Sequence, residues 1–170
     1  MKNKGGRLEN APYVDNSYKW AGGGFLSTAP DLCKFGDAML YSSQSSHKTP
    51  KGYLKPETMR AMWTPAKKNA PCPWDKDGYY TMGWCSTPDS QHYAQGRQVR
   101  QYMSHTGGAI GASSVLIVMP RKAGTAGDVS TGEPKGVTVA IAVNLQGVGL
   151  NRTAVEIARI FDEAVEVCDE

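Results

Sequence analysis

The sequence predicts an α+β fold, an antiparallel sheet with a C-terminal helix packed on one of its faces. Three observations support this. Two helical patterns come early, between residues 27 and 63. A group of strand-like runs follows between residues 79 and 143, joined by turns. An amphipathic helix closes the chain, and its apolar stripe has to be buried against a sheet face. The length of 170 residues suits one domain, and 40% apolar residues can supply a sizeable core.

Ala11 to Gly24 is rich in turn formers, with Pro12, Asp15, Asn16 and the triple glycine Gly22, Gly23, Gly24. No G-K-[ST] or G-x-G-x-x-G follows these glycines, so a close helix–loop contact is expected there and not a phosphate loop. "STAPDLCKFGDAMLY" then reads as a helix. Thr28 can cap it with Asp31 three residues on, and Leu32, Phe35, Met39 and Leu40 recur on one face. Gly36 costs this helix about 1 kcal/mol relative to alanine, which implies that something packs closely against it. A second helix is expected in "LKPETMRAMW", where Pro56 suits the first turn and Glu57 its positive end.

"TPAKKNAPCPWDKDG" reads as a loop and Tyr79 to Ser86 as one aromatic-rich strand. Another loop, Thr87 to Gln98, leads to "VRQYMSHTGG". A strand from Val115 to Met119 stops at Pro120, and residues 121–136 are expected to form a mobile loop. The nearly continuous apolar run in "VTVAIAVNLQ" marks a strand covered on both faces. In the closing helix Ala154, Ile157, Ala158, Phe161 and Val165 are expected to share the buried face. Asn151-Arg152-Thr153 spells a glycosylation sequon, but its position suits a helix cap and first turn.

"SHTGGAIGASSVLIVMP", residues 104 to 120, bears most directly on function. Its glycines permit a tight hairpin, and they equally permit close approach of a backbone to a ligand. Tyr102 and Met103 could line such a cleft, although strand alternation buries at least one of them.

Composition removes several function classes. Net charge is +3, from 19 basic and 16 acidic residues, and Lys2, Lys4, Arg7, Lys67, Lys68, Arg97 and Arg100 are scattered along the chain. A nucleic-acid binder gathers such residues on one stripe, so no nucleic-acid partner is expected. Cys33, Cys72, Cys85 and Cys168 form no C-x-x-C pair, and His47, His92 and His105 are dispersed. The cysteines are therefore expected to be free thiols, with no metal and no cofactor. No apolar run approaches the length of a membrane span, and the N-terminus shows no targeting pattern.

"WAGGGFLSTAPDLCKFGDAML", "YYTMGW" and "SHTGGAIGASSVLIVMP" resemble, in order and spacing, the C-terminal part of the serine β-lactamase-like family, related to class C β-lactamases and penicillin-binding proteins. "NAPYVDNSYKWAGGGFLST" and "GYLKPETM" are most similar to its mitochondrial members. The resemblance covers nearly the whole chain. It implies that residues 1–170 are the C-terminal part of a β-lactamase-related domain, an incomplete β-lactamase/transpeptidase-like fold. It also implies a peptidase or other hydrolase working through an acyl-enzyme, with a peptide or amide-type substrate. His105, Thr106 and Gly107 match the family's K-T-G or H-T-G motif, which lies on a strand beside the catalytic serine.

By this resemblance Thr106 offers its hydroxyl to a substrate carboxylate and His105 supplies dipolar or positive character. Gly107 allows close approach, and the Gly108 N–H is one of two oxyanion donors. The family's nucleophile, the serine of S-x-x-K with its lysine, is expected upstream of this segment, so the chain alone is expected to be inactive. Ser45-Ser46-His47-Lys48 and Tyr41-Ser42-Ser43 imitate S-x-x-K and Y-x-S, but in reversed order and in a polar loop. The missing strands are expected to leave Val137 to Val143 uncovered on one side. The mitochondrial type further implies mitochondrial localisation, a role in lipid metabolism and, alternatively, self-assembly into filaments of the intermembrane space.

Overall fold

A computed structural model describes residues 6–45, 51–65, 70–92, 97–121 and 134–168. The elements are α1 (Trp20–Gly23), α2 (Ala29–Gln44), α3 (Pro56–Trp63), β1 (Pro71–Cys72), β2 (Asp75–Tyr80), β3 (Cys85–Thr87), β4 (Ser90–His92), β5 (Arg97–Val99), β6 (Tyr102–Ala109), β7 (Ala112–Pro120), β8 (Gly136–Val143) and α4 (Asn151–Cys168). Six strands form one sheet in the order β1-β2-β3-β6-β7-β8, and β4 with β5 forms a separate two-stranded arm. All the pairings are antiparallel. The α+β architecture therefore stands, and helices cover both sheet faces.

Strand β7 divides the core. Val115, Ile117 and Met119 meet Tyr102, Val139, Leu150 and the α4 residues Ala154, Val155 and Ala158. Leu116 and Val118 point the other way, to Met103, Trp84, Met39 and Leu40 of α2, and Met59 and Trp63 of α3. The uninterrupted apolar run in this strand follows from having helices on both faces. Thr28 caps α2 as its spacing predicts: its Oγ1 accepts from the Asp31 N–H at 3.3 Å and donates to Asp31 Oδ2 at 3.0 Å. Gly36 lies where α2 crosses the sheet, and a Cβ there would stand 2.5 Å from Thr138 Cγ2.

Five expectations need correction. Residues 79–86 are not one strand: β2 ends at Tyr80, a turn closed by Thr81 N–H to Trp84 O at 2.7 Å follows, and β3 starts at Cys85. Gly83, with φ of +76°, makes this reversal possible inside an aromatic run. The flanking segments expected as loops also contain β1, most of β2, and the β4–β5 arm.

The buried stripe of α4 is rotated. Ala154, Val155, Ala158 and Asp162 are buried, whereas Phe161 is 60% exposed. Asp162 can occupy a core-facing position because two arginines come to meet it. Arg100 Nε lies 2.6 Å from Oδ2 and Arg121 Nε 2.8 Å from Oδ1, one arginine just before β6 and the other just after β7. An apolar periodicity cannot register a buried carboxylate whose partners come from distant strands.

Cys72 and Cys85 are not free thiols. They form a disulfide, with Cα atoms 5.8 Å apart, and it ties β1 to β3 across β2. Both faces of β8 are covered, by α2 and by α4. The shortfall lies at its outer edge, which no strand pairs among the described residues. Most of the expected mobile loop, residues 122–133, lies outside the described residues. No helix among the described residues is long and apolar enough to cross a membrane.

Candidate functional site

The segment 104–120 forms a hairpin. Met103 pairs with Val118, and the register runs through Thr106 with Val115 to Ala109 with Ala112, leaving Ile110 and Gly111 as the two-residue turn. Gly111, at the second turn position, takes the left-handed conformation, with φ of +86°, that suits glycine there. On its other side β6 is paired only at its beginning, where Tyr102, Met103 and Ser104 meet Thr87, Ser86 and Cys85. From His105 to Ala109 no strand occupies that side among the described residues. An edge with no neighbouring strand is where an extended segment can add.

The four predicted site residues lie in a row on this open half. His105, Gly107 and Gly108 are exposed and Thr106 is half-buried. Gly107 is close to its own sheet, since a Cβ there would overlap Ser114 Oγ, while a Cβ at Gly108 would meet nothing within 4 Å. Close approach at Gly107 is thus to β7, and the space beside Gly108 is open. Tyr102 and Met103 are 5% and 2% exposed, so they support the strand from its two faces and neither lines a cleft.

Two further residues reach His105 that sequence reasoning placed only in a loop and in a strand. The Tyr80 Oη lies 3.4 Å from His105 Nε2. The Trp74 ring lies 4.9 Å from the His105 ring, and Trp74 Nε1 donates to Ser104 Oγ at 3.1 Å. They come from the β1–β2 hairpin, which β3 brings alongside β6. No local spacing could have signalled this. "YYTMGW" was the available hint, and it carried no geometry.

Behind the strand, Asp75 Oδ2 accepts from Tyr102 Oη, from Asn151 Nδ2 at 3.1 Å and from Thr87 Oγ1 at 3.4 Å. Burial, and next the bond to Asp75, pushes the Tyr102 phenol well above its ordinary range. Asn151 opens α4, as its place in the sequence suggested, and its amide is engaged inside this network.

The serine decoys sit at the C-terminal end of α2. Ser42 Oγ donates to Ala38 O at 2.7 Å, Ser43 Oγ to Leu40 O at 2.7 Å, and Ser45 Oγ to Ser42 O at 3.1 Å. A helix C-terminus carries partial negative charge, which disfavours a developing alkoxide. Ser46, His47 and Lys48 lie outside the described residues. No group of three or more His, Cys, Asp or Glu residues placed to hold a metal occurs among the described residues.

Residues 1–160 match the family model described as Beta-lactamase. The chain belongs to the beta-lactamase family. Among curated proteins it is similar to the serine beta-lactamase-like protein LACTB, mitochondrial, of Homo sapiens, 53% identical over 167 residues that make up 95% of this chain and 30% of the relative. The relative of the same name from Mus musculus is also 53% identical, and that from Bos taurus 52%, with the same coverage. The chain therefore spans 30% of the length of the curated relatives it matches.

Proposed function

We propose that this chain forms the ligand-docking wall of a mitochondrial serine β-lactamase-like hydrolase of peptidase type. The observation that carries this reading is the side of β6 from His105 to Ala109, which no strand pairs among the described residues, with His105, Thr106, Gly107 and Gly108 along it. An extended amide or peptide substrate adds to this edge as a further strand through main-chain hydrogen bonds. Thr106 Oγ1 donates to the substrate carboxylate, His105 contributes a polar contact beside it, and the Gly108 N–H helps to hold the oxyanion of the acylation step. The open space at Gly108 suits a carbonyl brought close to the backbone. The serine that forms the acyl-enzyme and its lysine base are supplied from outside this set of residues, so the 170-residue chain alone does not hydrolyse. The similarity to relatives named as mitochondrial supports the location, and a role in lipid metabolism is a further part of this proposal that rests on the family resemblance alone.

The test is made in the longer protein that carries this segment. Thr106→Ala is expected to lower kcat/KM toward a carboxylate-bearing peptide anilide about 10-fold, the loss of one charge-assisted hydrogen bond, with an unchanged melting temperature. The 170-residue chain is expected to give no adduct with a fluorophosphonate probe. An unaltered kcat/KM in the variant, or an adduct mapped to Ser45, defeats the reading.

A second reading, assembly of copies into filaments, is favoured by one feature of α4. Ile160 and Phe161 are 64% and 60% exposed next to each other on its outer surface. Ile160→Glu with Phe161→Glu should reduce the sedimentation coefficient if this face joins copies, and should leave it unchanged otherwise.

A further inference from the structure

We propose that Trp74 and Tyr80 are positioning residues for His105, with the Tyr80 hydroxyl donating to Nε2 so that the neutral ring carries its proton on Nδ1. The functional consequence rests on the docking reading of the β6 edge; the ring geometry does not. Three rings form a closed triangle. Trp74 and His105 have centroids 4.9 Å apart with planes at 60°, Tyr80 and His105 6.2 Å apart at 65°, and Trp74 and Tyr80 5.8 Å apart at 85°. Edge-to-face contacts of this kind fix relative orientation as well as position. Trp74 is itself anchored to the strand it serves, because its Nε1 donates to Ser104 Oγ, on the residue that precedes His105 and is wholly buried.

The support for the two aromatic residues is covalent. Cys72 and Cys85 close a ring of chain that contains both Trp74 and Tyr80. Gly78, in the middle of that ring, lies against Cys85 and Thr87, where a Cβ would overlap Cys85 Sγ and stand 2.9 Å from Thr87 Oγ1. The hairpin is therefore pressed onto β3, and β3 onto the start of β6. His105 is the first residue past the end of that pairing, at the point where the sheet edge opens. Without the triangle an exposed histidine would sample several rotamers and both tautomers. With it, the ring offers one nitrogen in one direction to whatever adds at the edge, and less freedom is lost on binding.

The tautomer can be read directly. In the 15N-histidine-labelled chain at pH 8, long-range 1H–15N correlation should show His105 as the Nδ1–H form, its signals identified by their loss in His105→Gln. Tyr80→Phe, at a partly exposed position, should return the ring to averaged tautomers with an unchanged melting temperature. Trp74→Phe, which keeps a ring and loses the bond to Ser104, should give an intermediate pattern, as should reduction of the disulfide with dithiothreitol. Averaged tautomers in the parent chain, or an Nδ1–H pattern that survives Tyr80→Phe, overturn the proposal. Failure of the docking reading would look different: an intact tautomer pattern together with an unchanged kcat/KM in Thr106→Ala.

Discussion

Strand β7 and the second half of β6 are two arms of one hairpin, and they make opposite use of the same backbone. β7 has a strand on each side and a helix layer on each face, and its residues from Val115 to Met119 are 7% exposed or less. Among the described residues, 105–109 have a partner strand on one side only and are mostly exposed. In β7 the main chain has no hydrogen-bonding capacity to spare, so its side chains serve packing. In the open half of β6 no second strand takes up that capacity among the described residues, and the side chains there are mainly histidine, threonine and glycine. A rigid, fully paired strand is what lets its neighbour keep an unpaired edge without unravelling.

Substitutions should separate the two arms by what they cost. The largest effect is expected from Ile117→Ala, at a fully buried position of β7, with a loss of about 3 kcal/mol in urea unfolding. A loss below 1 kcal/mol would mean that β7 is not the organising strand. Next comes Gly78→Ala, which forces a Cβ onto the Cys72–Cys85 bridge and Thr87 and should cost about 2 kcal/mol. It attacks the support of the open arm and not the arm itself.

A smaller effect belongs to Tyr102, which underlies both arms. Its phenol titrates above the ordinary value of 10.0 in the folded chain, so the unfolded chain loses that proton first as the solution is made alkaline. The stabilisation is complete below pH 10 and declines as pH rises from there toward the folded value. Melting temperatures measured from pH 8 upward should fall more steeply in the parent than in Tyr102→Phe. The smallest effect is expected at His105→Ala, within about 0.5 kcal/mol in unfolding, because the residue is exposed and outside the core. A large loss there would erase the distinction between a packing arm and a working arm.

Legibility followed the range of the interactions. Thr28 and Asp31 are three residues apart, and their capping box was readable from spacing alone. The closeness at Gly36 was readable too, although its partner Thr138 was not. Phe161 misled because the helix turns its stripe toward Asp162, held by arginines from two other elements. Cys72 and Cys85 gave no sign of pairing, since their spacing matches no motif and only the β1–β2–β3 meander brings them together.

The sequence by itself determined the α+β class, the helices α2, α3 and α4 and the β7 strand run, while the candidate row His105 to Gly108 came from the family resemblance of its motif. The elements depend on propensity, capping and periodicity, all of which act within a few residues. Only the tertiary structure decided that β3 stops pairing with β6 at Ser104, that Trp74 and Tyr80 close around His105, and that the disulfide encloses both. Those outcomes depend on which strands become neighbours, and strand neighbours are chosen by packing across the whole sheet.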